Sequence, residues 1–197
     1  MDISDLTYYA HQSFNDCDKD MDDSLHMNYL QAINSLTNNV FYIFDYTRNK
    51  LIYPDNLIQF LEHEFPLTKH GYQFYEKYVH PEDLKMLVKI NNLAFDFFYT
   101  LKQDQRKYVN IVYDMRLKGI NGDYILVNHH QTPLKLTGDG KIAQALCQIS
   151  LACYQHPGNI FIKLNHTKII FEYNPQLNSF IENKHQNITK QESAILK

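Results

Sequence analysis

The residues of this chain with chemical reach are its histidines, three cysteines and an acidic opening run, and their spacing decides what they can do. Asp16, Asp18 and Asp20 alternate as calcium-loop ligands do, but the loop's sixth position is Met21 instead of glycine and its twelfth is Met27 instead of glutamate. The run reads as helix-capping acid on a solvated linker. His129 and His130 are neighbours on an expected strand, so they point to opposite faces and cannot chelate one ion together. His63-Glu64 is an isolated pair, and His80 reads as a helix cap. Cys147 and Cys153 share a strand, roughly 20 Å apart by strand rise, too far to bridge each other. With Cys17 they are expected as reduced thiols. The sequence has no His-Glu-x-x-His, no Gly-x-Ser-x-Gly and no Walker loop. The chain is therefore not expected to be an enzyme. Only a convergence in space of His130, Asp114 and Glu64 would revive that reading.

The elements that must carry these residues centre on positions 108–154. Tyr108 to Lys118 alternates, with Val109, Ile111, Tyr113, Met115 and Leu117 on one face. Gly119-Ile120-Asn121-Gly122-Asp123 is a hairpin turn, Tyr124 to Leu136 a second strand, Thr137-Gly138-Asp139-Gly140 another turn, and Lys141 to Ala152 a third strand. Four of the six glycines sit in these two turns, so glycine serves hairpins here and not a phosphate loop. Upstream, Val40 to Tyr46 is β-branched and aromatic, and Leu51-Ile52-Tyr53 is a short partner strand ended by Pro54. A helix is expected over about Asp22 to Asn38, with Leu25, Tyr29, Ala32, Ile33 and Leu36 as its apolar stripe, and a weaker one around Leu6, Tyr9, Ala10 and Phe14. Asp55 to Glu64 can form a short helix. His80-Pro81-Glu82-Asp83 opens a long one, about Pro81 to Leu101. After Tyr154, alternation at Ile160, Ile162, Leu164 and again at Ile169, Phe171, Tyr173 predicts an extra β-hairpin. The fold class expected is α+β: a five-stranded antiparallel sheet with helices on one face, N-terminal helices and a C-terminal β-hairpin.

The chain is 197 residues long, with 44% hydrophobic and 21% charged residues, as in an ordinary globular protein. A net charge of −3 argues against nucleic-acid binding by the chain as a whole. No apolar run reaches the roughly 20 residues of a membrane span. The acidic start lacks the features of a secretory signal, so no membrane role and a cytoplasmic location are expected.

Over residues 40–154 the chain resembles a PAS domain. His80-Pro81-Glu82-Asp83 at the head of the long helix is one mark. The other is the run Tyr113-Asp114-Met115-Arg116-Leu117-Lys118-Gly119-Ile120-Asn121-Gly122-Asp123-Tyr124, similar to the family's hairpin pattern. Leu126 stands where many members have tryptophan, and Gln148-Ile149-Ser150 where many have Asp-Ile-Thr. The resemblance implies a sensory module with a cavity between long helix and sheet. Haem would need an axial histidine within Glu82 to Leu101, which has none. A photoactive flavin would need a cysteine between the second strand and the long helix, whereas Cys17, Cys147 and Cys153 lie elsewhere. Both cofactors are disfavoured and the ligand, if any, is unidentified.

On the second strand of the central block either Leu126, Asn128 and His130 or Val127, His129 and Gln131 face inward, and the pattern leaves both open. The candidate pocket takes the first set, with Ile111, Tyr113, Met115, Cys147, Ile149, Phe95 and Phe98; a filled core without ligand is the competing reading. Finally, Thr189-Lys190-Gln191-Glu192 is a capping box followed by Ile195 and Leu196. Residues 188–197 resemble the opening helix of a LuxR-type helix-turn-helix domain, with Gln191 replacing the usual arginine. The organisation expected is a helical extension (1–39), a PAS-like sensory domain (40–154), a β-hairpin linker (155–187) and the start of a truncated DNA-reading domain (188–197). The expected function is sensing and homodimerisation for a transcriptional regulator that contacts DNA through that last domain. The alternative is a protein-interaction scaffold with no small ligand.

Overall fold

Positive backbone angles at two glycines fix where the sheet folds back on itself. Gly122 (φ 85°) and Gly140 (φ 79°) take the left-handed conformations that the two central turns require. The computed structural model describes residues 23–52, 71–119, 121–153 and 156–183. Around the two turns run β3 (Val109–Lys118), β4 (Tyr124–Leu136) and β5 (Ile142–Leu151). Before them come β1 (Val40–Asp45) and β2 (Lys50–Ile52), and after them β6 (Ile160–Leu164), β7 (Ile169–Asn174) and β8 (Ser179–Glu182). The helices are α1 (Asp23–Leu36), α2 (Gly71–Tyr78), α3 (Pro81–Thr100) and the single turn α4 (Gln103–Arg106).

The fold is α+β, but the sheet has eight antiparallel strands, in the order β2-β1-β5-β4-β3-β6-β7-β8. The expected hairpin is not a separate linker: β6 pairs with β3, Ile162 opposite Ile111, so the second hairpin continues the first sheet. Hydrophobic alternation shows that a segment is a strand and not whose edge it joins. β8 extends the sheet once more beyond Asn174, whose Oδ1 accepts from the amides of Gln176 (2.9 Å) and Leu177 (3.0 Å).

On the inner face, α3 lays Leu87, Ile90, Ala94 and Phe98 over Tyr42, Ile111, Tyr113, Met115, Val127 and Ile149 in one continuous core. Phe97 of α3 meets Phe171 (centroids 4.7 Å) and Phe180 (6.2 Å), so the added strands curl around the same helix. The expected N-terminal helix, α1, takes the other face of the sheet. Its Leu30 packs on Ile43 and Ile52, with Phe41 and Leu146 beside them, on the opposite side of the sheet. Asn34 ties the end of α1 to β1, its Oδ1 accepting from the Phe41 amide (2.7 Å) and its Nδ2 donating to the Phe41 carbonyl (3.1 Å). Much of the apolar stripe read on α1 is left spare, with Leu25 48%, Tyr29 60% and Leu36 83% exposed. No described helix is long and apolar enough to cross a membrane. The helices expected near Leu6–Phe14 and Asp55–Glu64 lie outside the described residues, as do positions 188–197.

Candidate functional site

On the inner face, where the sequence left a cavity or a filled core open, the described residues interlock their rings. Tyr42 of β1 places its hydroxyl between the hydroxyl of Tyr75 on α2 (2.7 Å) and Nε2 of His129 on β4 (2.7 Å). The His129 ring stacks on Tyr113 of β3 at 4.6 Å and 25°. Burial pushes the tyrosine hydroxyls of Tyr42, Tyr75 and Tyr113 well up in pKa, and the Cys147 thiol up to about 12. Burial first, and His130 second, push His129 down to about 3. The cluster is therefore polar but uncharged at neutral pH. Among the described residues, a cavity of about 20 Å3 lies beside Tyr46, Tyr72, Phe95 and Gln131. That admits one water at most.

The candidate lining thus divides. Ile111, Tyr113, Met115, Cys147, Ile149 and Phe98 are inward and fully packed, and Phe95 borders the small void with its edge to Tyr46 (5.9 Å). Leu126, Asn128 and His130 are corrected to the outer face. The inward set of β4 is Val127, His129 and Gln131. The reason is register: Tyr113 lies directly opposite His129, and cross-strand partners share a face. The turn held the missing signal. With Lys118 opposite Tyr124 across it, counting back along both strands pairs Tyr113 with His129.

On the outer face, β3, β4, β6 and the segment after β5 gather a different set of groups. The Asp114 carboxylate, with no exposure, accepts from Nδ2 of Asn128 (2.6 Å) and Nδ2 of Asn159 (2.7 Å). An ionised carboxylate only accepts, so Asn128 must turn its amide nitrogen to Asp114 and its oxygen to His130. His130 Nε2 then carries the proton and donates to that oxygen (2.7 Å), which leaves Nδ1 to accept from Nδ2 of Asn110 (3.4 Å). The string ends on Asn110 Oδ1, which is buried without a partner in the structure. Sequence reasoning named Asn128 and His130 for the wrong face, and missed Asn110 and Asn159 as partners of the group. Asp114 and His130 do converge, through Asn128; Glu64 lies outside the described residues.

Beside this string lies a cleft of about 310 Å3 lined by Val112, Asn128, His130, Ser150, Leu151, Cys153, Asn159, Phe161, Lys163 and Ile170. Lys163 has no acidic partner among the described residues. Burial lowers the pKa of His130, Lys163 lowers it further, and Asp114 opposes them more weakly. No group of three or more His, Cys, Asp or Glu side chains among the described residues is arranged to hold a metal ion.

A third arrangement joins the two segments that carry the family resemblance. His80 caps α3, its Nδ1 accepting from the Glu82 amide (3.3 Å), and its ring meets Tyr124 edge-on at 4.6 Å. Asp83 accepts from the Arg116 amide (2.7 Å), Nε (2.9 Å) and Nη2 (2.6 Å), while the His80 amide donates to the Arg116 carbonyl (2.9 Å). Hydrogen bonding to Asp83 is the main reason the Arg116 guanidinium has its pKa raised. The chain matches no family model and no curated protein.

Proposed function

We propose that the chain is a PAS-like signal-receiving and pairing module that works without an interior cofactor and controls an attached DNA-reading domain. The observation that carries this reading is the bracket at Arg116. The two motif segments behind the resemblance, separate in sequence, close on each other at the head of the long helix. In further support, β1 to β5 occupy five adjacent positions of the sheet, with α3 across their inner face. With the interior filled, a signal is received on the outer face, where α1 and the cleft both lie. β5 links them, carrying Leu146 under α1 and Ser150 in the cleft. Leu25, Tyr29 and Leu36 on the free side of α1 are the pairing surface. The output is read from Thr189, Glu192, Ile195 and Leu196 and their similarity to the first helix of a LuxR-type domain.

Native mass spectrometry of the purified chain tests this. A dimer is expected, and a monomer at every concentration overturns the pairing. A protein carrying this chain and a complete helix-turn-helix domain should shift a DNA fragment at low salt, and failure to do so as a dimer rejects the DNA output.

The small size of the inner cavity among the described residues favours a second reading, a pairing scaffold with no small ligand. A dimer that neither retains nor takes up small molecules supports it.

A further inference from the structure

We propose that the cleft on the outer face binds a small organic carboxylate with an apolar body, the carboxylate at Lys163 and the body over Val112, Phe161 and Ile170. This deepens the function proposed above by naming what the outer face receives, and it rests on that reading only for its consequence.

Size comes first. A cleft of about 310 Å3 is at the lower end of the roughly 300–1,000 Å3 of small-molecule sites. Its lining mixes apolar side chains with a few convergent polar ones, as such sites do.

Charge decides the ligand's sign. Lys163 is the cation of the cleft and makes no ion pair among the described residues; the exposed Glu172, diagonal to it across the β6–β7 pairing, accepts from Nδ2 of Asn183 (3.1 Å) instead. Asp114 is fully buried behind the amides of Asn128 and Asn159, which take up both of its oxygens. His130 is neutral near pH 7, and its Nε2 proton is committed to Asn128. The remaining polar side chains of the lining are Lys163, Ser150, Asn159 and Cys153, set among the apolar Val112, Leu151, Phe161 and Ile170.

Charge number narrows the class. One lysine, with no arginine fork and no helix N-terminus in the lining, suits a single carboxylate and not a phosphate.

The test is a titration of the purified, isotope-labelled chain with acetate, hexanoate and phenylacetate, followed by amide chemical shifts. Phenylacetamide serves as the neutral isostere and Lys163→Gln as the variant. Hexanoate or phenylacetate should bind saturably, with a dissociation constant of about 1 mM or below, and move the amides of Asn128, His130 and Lys163. Phenylacetamide, and either acid with Lys163→Gln, should bind about tenfold more weakly. Lys163→Gln should keep the wild-type circular dichroism, since the side chain borders solvent. The proposal is overturned if none of the three acids binds, if phenylacetamide binds as well as phenylacetate, if Lys163→Gln changes nothing, or if the shifts fall around Tyr113 and His129 on the inner face. Binding at the cleft that leaves the native mass of the assembly unchanged supports the site and rejects its signalling role.

Discussion

Asp83 and Arg116 form a fork: both carboxylate oxygens of a residue 4% exposed receive the guanidinium at 2.6 and 2.9 Å, and the Arg116 amide adds a third bond at 2.7 Å. The first turn of α3 is thereby fastened to the middle of the sheet. Glu82 joins from the exposed side at 3.2 Å, a contact worth little by itself. Arg116→Ala leaves a buried carboxylate with only the amide of its former partner. A loss of about 2 kcal/mol is expected in urea melts, discounted for the exposed edge of the guanidinium. Arg116→Lys should lose most of that as well, because an ammonium cannot reproduce the two-pronged contact. A melt unchanged by either substitution would show that the bracket does not hold α3.

Tyr42 contributes its hydroxyl to two partners at once. Tyr42→Phe keeps the ring against Phe74 and removes both hydrogen bonds, stranding polar atoms of Tyr75 and His129 in a core without room for more than one water. The expected cost is about 2 kcal/mol, measured by thermal or urea unfolding. An unchanged midpoint would mean the hydroxyl cluster adds nothing to stability.

Acid should weaken the fold before it reaches the carboxylates. His129 has a folded pKa of about 3, against about 6.5 in an unfolded chain. Between those values the unfolded chain takes up a proton that the folded protein refuses, so stability is full above about pH 6.5 and falls as pH drops toward 3. His130, also lowered, acts in the same direction. The groups facing His129, namely Tyr42, Tyr75, Tyr113 and Cys147, are all raised and stay neutral in this range. Asp45 and Asp139, both lowered, add their own loss only below about pH 4. Urea midpoints should therefore fall from pH 7 to pH 5, and His129→Gln should flatten that slope.

On α1, Leu25→Glu with Tyr29→Glu replaces exposed apolar groups, so monomer stability should change by no more than about 0.5 kcal/mol. The dimer should dissociate in native mass spectrometry. A dimer that survives the pair of substitutions places the contact elsewhere.

Legibility in the sequence followed the range of the interaction. The alternation of β3 announced Val109, Ile111, Tyr113, Met115 and Leu117 as one face, and all five are buried. The Pro81 start and acidic first turn announced α3, which ends at Thr100, one residue short of the expected Leu101. The inward face of β4 was not legible from composition, because Val127, His129, Gln131 and Leu126, Asn128, His130 are equally mixed. Register decided it, and register is a relation between strands. On α1 the residue that seats the helix was not legible either: Leu30, outside the stripe, is the one that finds Ile43 and Ile52. The outer cleft was hidden for the same cause, since Lys163 and Phe161 reach His130 only once β6 has joined β3.

That strand order has a kinetic consequence. β3, β4 and β5 are joined by tight turns and can assemble as they are synthesised; β6 then crosses past β4 to the free edge of β3, and β7 and β8 add to it as successive hairpins. β1, by contrast, pairs with β5, Val40 against Ile149, and must wait unpaired on that edge while nearly everything between them emerges from the ribosome. Closing so long a loop is slow, and during the delay the strand-prone sequence Val40-Phe41-Tyr42-Ile43-Phe44 has only α1 and β2 to cover it, with its β5-facing edge and inner face open. Overexpression yield and chaperone dependence should accordingly be governed by this short N-terminal stretch more than by any residue of the finished site.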